Sequence, residues 1–150
     1  MRRALPYLLV AVMLGFAFYP RPGRSAEGDT WLGVNGLSYH FARDRGYNER
    51  NSGLGFEHHI TDNWAVAGGS YKNSYFRRSN YMGAVYTPWH YGTPDGLKAS
   101  IGGALWFVSG YEENPVPIPF GVVALEHKRV GMNIGVSPVV VMFQLKFKLN

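Results

Sequence analysis

Near its end the chain alternates without a break. Val139, Val141, Phe143, Leu145, Phe147 and Leu149 fall on one side of an extended backbone, and Gln144, Lys146 and Lys148 fall on the other. Successive side chains of a strand point to opposite faces, so this segment presents one wholly apolar face and one charged face. A face that stays apolar to the last turn, opposite a charged one, suits a strand with hydrocarbon outside and a polar lumen inside. Leu37, Tyr39 and Phe41 oppose Ser38 and His40 in the same way. From Glu27 onward no helical period is present, and short alternating segments are divided by Gly, Pro, Asn and Asp clusters. The pattern predicts strands at roughly 31–42, 53–60, 63–72, 79–88, 97–108, 117–126, 130–136 and 139–149. This predicts an all-β fold, an eight-stranded antiparallel up-and-down transmembrane β-barrel. Closure removes the strand edges that lipid cannot satisfy. Trp31, Trp64, Trp89 and several tyrosines near strand ends are expected at the two membrane interfaces.

Alternation alone also fits a soluble barrel with its apolar face turned inward. The start of the chain favours the membrane. Met1-Arg2-Arg3 is a basic beginning, Ala4 to Tyr19 an apolar run broken by Pro6 and Gly15, and Arg24-Ser25-Ala26 a set of small residues for cleavage. Residues 1–26 therefore read as a signal peptide for export and 27–150 as an outer-membrane β-barrel. The 15 Lys and Arg against 10 Asp and Glu would invite a nucleic-acid reading. Removing residues 1–26 takes away Arg2, Arg3, Arg21 and Arg24 and no acid, which leaves 11 against 10 and a charge of +1. No nucleic-acid partner is expected of so nearly neutral a chain. The absence of cysteine excludes disulfide scaffolds and thiolate metal sites.

Exported barrels start and finish on the periplasmic side, with short turns there and longer loops outside. Arg43 to Ser52, Asn73 to Arg78 and Ser109 to Pro115 then become outer loops, and Thr61-Asp62 a periplasmic turn. Pro88 to Gly96 is an unusually long expected periplasmic connection. His40 and Ser74 share one outer rim and form a candidate site. His58 and His59 are adjacent and face opposite ways, so no shared metal site is expected. His90 and His127 fall in expected turns without a readable partner. No cofactor and no metal are implied. The glycine pairs Gly68-Gly69 and Gly102-Gly103 suit tight barrel curvature.

Several segments, in order, are similar to a known family. Ser38-Tyr39-His40-Phe41-Ala42-Arg43, then Tyr47-Asn48-Glu49-Arg50, then Gly53-Leu54-Gly55-Phe56 resemble the histidine strand, Tyr-Asn-Glu-Arg loop and glycine-rich second strand of the lipid A palmitoyltransferases. Tyr71-Lys72-Asn73-Ser74-Tyr75 resembles that family's Lys-Asp-Ser segment, and Asn114 to Pro119 its proline-rich sixth strand. Val136-Ser137-Pro138-Val139 resembles the proline before its last strand. The resemblance implies an eight-stranded outer-membrane enzyme that moves palmitate from a phospholipid to lipid A. It implies catalytic His40, Ser74 and the residue before the serine, and substrate contacts at Tyr47, Asn48, Glu49 and Arg50. The residue before the serine is Asn73 where the family has aspartate. Asp44 and Glu49 are the carboxylates expected within reach to take its place. A barrel without the family's amphipathic leading helix, having only Glu27 to Thr30 before the first strand, is expected as a monomer. A noncatalytic lipid-binding or structural barrel, and a phospholipid or lipid A ester hydrolase, stay open beside acyl transfer.

Ester-to-ester transfer needs a base at the acceptor hydroxyl and a group for the oxyanion or the attack. His40 suits the first role and Ser74 the second. Pro115, Pro117 and Pro119 lack amide donors at alternate positions, which predicts a broken wall between the fifth and sixth strands through which an acyl chain enters.

Overall fold

The structure is a computed structural model that describes residues 27–93 and 95–150. The expected signal peptide, 1–26, lies outside them. Eight strands run in chain order: β1 (Thr30–His40), β2 (Arg50–His59), β3 (Trp64–Lys72), β4 (Arg78–Gly92), β5 (Lys98–Val108), β6 (Val116–His127), β7 (Val130–Val136) and β8 (Val140–Lys148). Each pairs antiparallel with the next, and β1 pairs with β8 from Trp31↔Lys148 to His40↔Val140. The sheet is a closed eight-stranded barrel. One short 3-10 helix, Arg43–Arg45, sits in the β1–β2 loop and ends on Gly46 in the left-handed region.

Two departures from the expected strands have local causes. β4 runs through Pro88 to Gly92, so the first part of the connection expected at 88–96 is strand. The pairing jumps from Tyr86↔Gly103 to Trp89↔Ile101, a bulge that places Pro88 where the ladder is already interrupted. In β1 the register shifts between Asn35 and Leu37, so Gly36 is the extra residue. The bulge lets Leu32 and Val34 share the outward face with Leu37 and Tyr39 although their numbers differ in parity.

The exterior carries a belt that hydrocarbon satisfies and water does not: Leu37, Leu54, Phe56, Met82, Phe107 and Leu145 all lie exposed. The Trp64 and Tyr86 rings meet at a tilt, 4.5 Å between centres, on the turn side of this belt, and Trp89 is exposed there too. Trp31 does not join them. It is 1% exposed and faces the lumen, because the inward set of β1 at that end is Trp31, Gly33 and Asn35.

The interior divides into two layers. Toward the loop end, Tyr81, Val85, Val108, Phe120 and Val122 form an apolar cluster. Glycines make room for its large members: a methyl group at Gly55 would overlap the Tyr81 hydroxyl, and one at Gly135 would press on Phe120 and Met142. Toward the turn end lies a polar floor. Lys146, fully buried, donates to Glu57 at 2.8 Å and pairs with Glu126 at 2.7 Å, with its ammonium 4.8 Å from the Trp31 ring centre. His59 Nε2 meets Glu57 Oε1 at 2.9 Å, and Asn133 Nδ2 donates to Glu57 Oε2 at 2.8 Å. A buried ion that keeps this many partners is the arrangement in which the desolvation cost is offset.

Candidate functional site

The loop end of the barrel brings His40 and Ser74 together. His40 ends β1, and its parity with Ser38 turns it inward, where it is 5% exposed. Ser74 begins the β3–β4 loop. His40 Nε2 lies 2.8 Å from Ser74 Oγ. The β1–β2 loop fixes this geometry through its buried asparagine. Asn48 takes a backbone bond from its own N–H to Ser74 O at 2.9 Å, and its amide donates to Asn73 O and Arg50 O, both at 3.0 Å. Asn48, expected to touch substrate, is thus occupied in tying one loop to the next.

Asn73 does not meet His40. Its side chain is completely buried in its own loop, where Oδ1 accepts from Tyr75 N and Arg77 N and Nδ2 donates to Ser79 Oγ and Gly110 O. The carboxylate beside His40 is Glu49. One of its oxygens accepts from the His40 backbone N–H at 3.1 Å, pairs with Arg43 and lies 3.9 Å from His40 Nδ1. The hydrogen bond from His40 N–H and the Arg43 guanidinium hold the Glu49 carboxyl below its usual range. His40 Nδ1 itself has no hydrogen-bond partner among the described residues. Asp44 is exposed in the 3-10 helix.

Three tyrosines, one from each long loop, roof the pair. The Tyr47 ring sits 4.7 Å from the His40 ring, Tyr75 meets Tyr47 edge-on at 5.7 Å, and Tyr111 meets Tyr75 at 5.8 Å. Tyr111 also reaches Tyr71 through their hydroxyls at 3.3 Å. Of these, Tyr75 closes the segment compared with Lys-Asp-Ser but was given no role there, and Tyr111 carried no motif; only its place in an expected outer loop pointed this way. Arg50 is exposed and lies outside this cluster.

Below the mouth opens a cavity of roughly 410 Å³. His40, Ser74 and the roofing tyrosines line its top, Trp106, Ile118, Phe120 and Met142 its apolar middle, and Asn35, Gln144 and Asn133 its base. The prolines stand at one wall of it, though not as expected. β5 and β6 pair without interruption to Val108↔Val116, including Phe107↔Pro117 and Leu105↔Pro119. The unpaired side is the other one, since β6 and β7 begin to pair only at Gly121↔Val136. Residues 116–120 therefore have one ladder and one open edge, the setting in which a sheet accepts proline. Pro115 lies in the loop just before.

Elsewhere the histidines find partners that sequence spacing does not show. His90 is in β4 and not in a turn; its Nδ1 meets Ser100 Oγ and its Nε2 meets Asn63 Oδ1, each at 2.9 Å. His58 pairs with Thr30, and His127 ends β6. Glu57, His59 and Glu126 bring three ligand atoms within 4.8 Å of one another, as a metal site would, but the Lys146 ammonium bonds both carboxylates.

Comparison with protein-family models found no match, and comparison with curated proteins found none. Among solved structures the chain is similar to the Yersinia pestis outer membrane protein Ail in a phospholipid bilayer nanodisc, at 9% identity and a TM-score of 0.40. The alignment covers 82% of this chain and 100% of that chain.

Proposed function

We propose that the protein is an outer-membrane, acyltransferase-like enzyme that takes an acyl chain from a phospholipid and esterifies a lipid A hydroxyl. The single observation that carries this reading is the His40–Ser74 contact of 2.8 Å at the mouth of a cavity with an apolar middle. The apolar belt supports the membrane setting, with the loop end outward. His40 Nε2 accepts a proton as the attacking oxygen, either Ser74 Oγ or the acceptor hydroxyl, forms its bond to the ester carbonyl carbon. The ester C–O bond then breaks, and the same proton passes to the leaving alkoxide. Where Ser74 Oγ has attacked, the acceptor hydroxyl next gives its proton to His40 Nε2 and bonds to the carbonyl carbon of acyl-Ser74, and the proton returns to Ser74 Oγ as that ester bond breaks. Glu49, anionic down to unusually low pH, faces Nδ1 and favours the imidazolium that forms in between. The acyl chain lies in the cavity, and the open edge of β6 at Pro117 and Pro119 is the side by which it enters.

Lipid A from cells with and without the protein, analysed by mass spectrometry, tests the transfer. One additional acyl chain in wild type, absent in His40→Ala and Ser74→Ala, is the expected result. Free fatty acid released without an acylated acceptor would replace transfer with hydrolysis. No lipid change from a correctly inserted barrel would leave a noncatalytic barrel and end the enzymatic reading.

A further inference from the structure

The outward wall of β2, β3 and β4 changes character in a regular order toward the loops. Leu54 and Phe56 on β2, Val66 on β3 and Met82 on β4 are exposed apolar residues. On the same face, nearer the loops, come Ser52, Ser70 and Asn80, and then Arg50, Lys72 and Arg78. The register establishes that these share a face. Arg50 is the β2 partner of Leu37, Ser70 the β3 partner of Leu54, and Arg78 the β4 partner of Lys72, while Leu37 and Leu54 are 59% and 60% exposed. Arg50, Lys72 and Arg78 are themselves exposed.

No outward position of these three strands holds an Asp or Glu; the nearest strand carboxylate, Glu57, points into the lumen floor. Lys72 lies 5.5 Å from the ring centre of Phe76 in the β3–β4 loop and Arg78 Nε donates to Ser70 Oγ at 3.0 Å, and neither cation has an anionic partner among the described residues. Outward-facing cations in this place are complementary to an amphiphile oriented alike: chains beside the belt, a neutral polar zone, then negative charge. Arg50 and Arg78 stand two strands apart, with Arg50 about two residues further toward the loops than the Lys72–Arg78 pair, so their backbones are roughly 12 Å apart, which exceeds the span of one phosphate and leaves room for two phosphates on one head group.

We propose that this wall is a docking site for an outer-leaflet glycolipid carrying two phosphate groups, held as a resident lipid outside the barrel. The site rests on the loop-outward membrane placement and is independent of acyl transfer at His40 and Ser74. Arg50 and Arg78 each take one phosphate, and Lys72, between them, neutralises both.

The test is native mass spectrometry of the full chain released from nanodiscs containing bisphosphorylated lipid A, its monophosphoryl form, or phosphatidylglycerol. Wild type should retain one bisphosphorylated lipid, and each of the other two at least about tenfold less often, as the loss of one charge-assisted contact requires. Arg50→Gln with Lys72→Gln and Arg78→Gln should abolish the preference while the barrel keeps its heat-modifiable gel migration; Lys72→Gln alone, if the triple variant fails that check, should weaken it. Equal retention of phosphatidylglycerol, or unchanged retention in the folded variants, would overturn the site. His40→Ala with Ser74→Ala should retain the lipid as wild type does, and loss there would show that the lipid belongs to the mouth and not to this wall.

Discussion

The two ends of the lumen are both polar, but they are polar in different ways. At the floor every charged group has an opposite charge or a donor in contact: Lys146 holds Glu57 and Glu126, and Glu57 also receives His59 and Asn133. At the mouth, His40 bonds Ser74 on one nitrogen and leaves the other unpartnered, 3.9 Å from a carboxylate that is itself 31% exposed. The floor also has spare atoms, His59 Nδ1, Asn133 Oδ1 and Trp31 Nε1, but its charges are already paired with one another. At the mouth the spare nitrogen belongs to the ring that faces both a hydroxyl and a partly exposed carboxylate, and a ring so placed has capacity to accept, hold and return a proton. That difference sets the floor apart as an ion-paired network and the mouth as the candidate site.

Four changes break or sharpen that contrast. Lys146→Met removes the ammonium shared by two buried carboxylates and should cost roughly 3–5 kcal/mol, read as a lower melting temperature in detergent. Adding Glu57→Gln and Glu126→Gln should recover much of it; if the triple variant melts as low as the single, the floor is not held by its ion pairs. At the mouth, Ser74→Ala should leave melting within about 0.5 kcal/mol of wild type, as a site with spare capacity allows, yet reduce any acyl transfer by on the order of 10²-fold or more. A large drop in melting instead would make the mouth a second scaffold.

Asn73→Asp tests whether the aspartate expected by resemblance belongs there. A carboxylate keeps the bonds from Tyr75 N and Arg77 N but sets an acceptor against Gly110 O, so stability should fall by about 1–3 kcal/mol with no gain in rate. Improved turnover would mean that the loop reorganises to bring residue 73 to His40. The smallest effect concerns Glu49. Because its folded carboxyl titrates below its unfolded value, the contribution of its contacts is present above the unfolded pKa and is lost as pH falls through the lower folded one. The Glu49 side-chain carboxyl carbon resonance should therefore keep its ionised position through the ordinary carboxylate range and move only below it, and Arg43→Gln, which removes one of those contacts, should bring the movement back toward that range.

Alternation and chain order were enough for strand count, closure, inward His40 and outward Leu37 and Tyr39, because a two-residue period is a property of the backbone alone. His40 and Ser74 were brought to one rim by the same reasoning: odd strands run toward the loops, so the end of β1 and the end of β3 lie on the same side. The sequence narrowed the carboxylate beside the histidine to Asp44 or Glu49, and only the path of the loop selects Glu49. Asn73 precedes Ser74 in sequence, but two adjacent residues leaving a strand diverge, and Glu49 returns to His40 only because the β1–β2 loop folds back through the Asn48 bonds. The place of the open wall was equally hidden. Proline announces a missing donor but not the side on which it is missing, and only the register shows β5 paired and β7 absent beside Pro117 and Pro119. The bulge at Gly36 likewise returns Trp31 to the lumen, where the Lys146 ammonium lies over it. Local periodicity determines which way a side chain points along its own strand; what it meets there depends on register between segments distant in sequence, and that is decided only when the barrel closes.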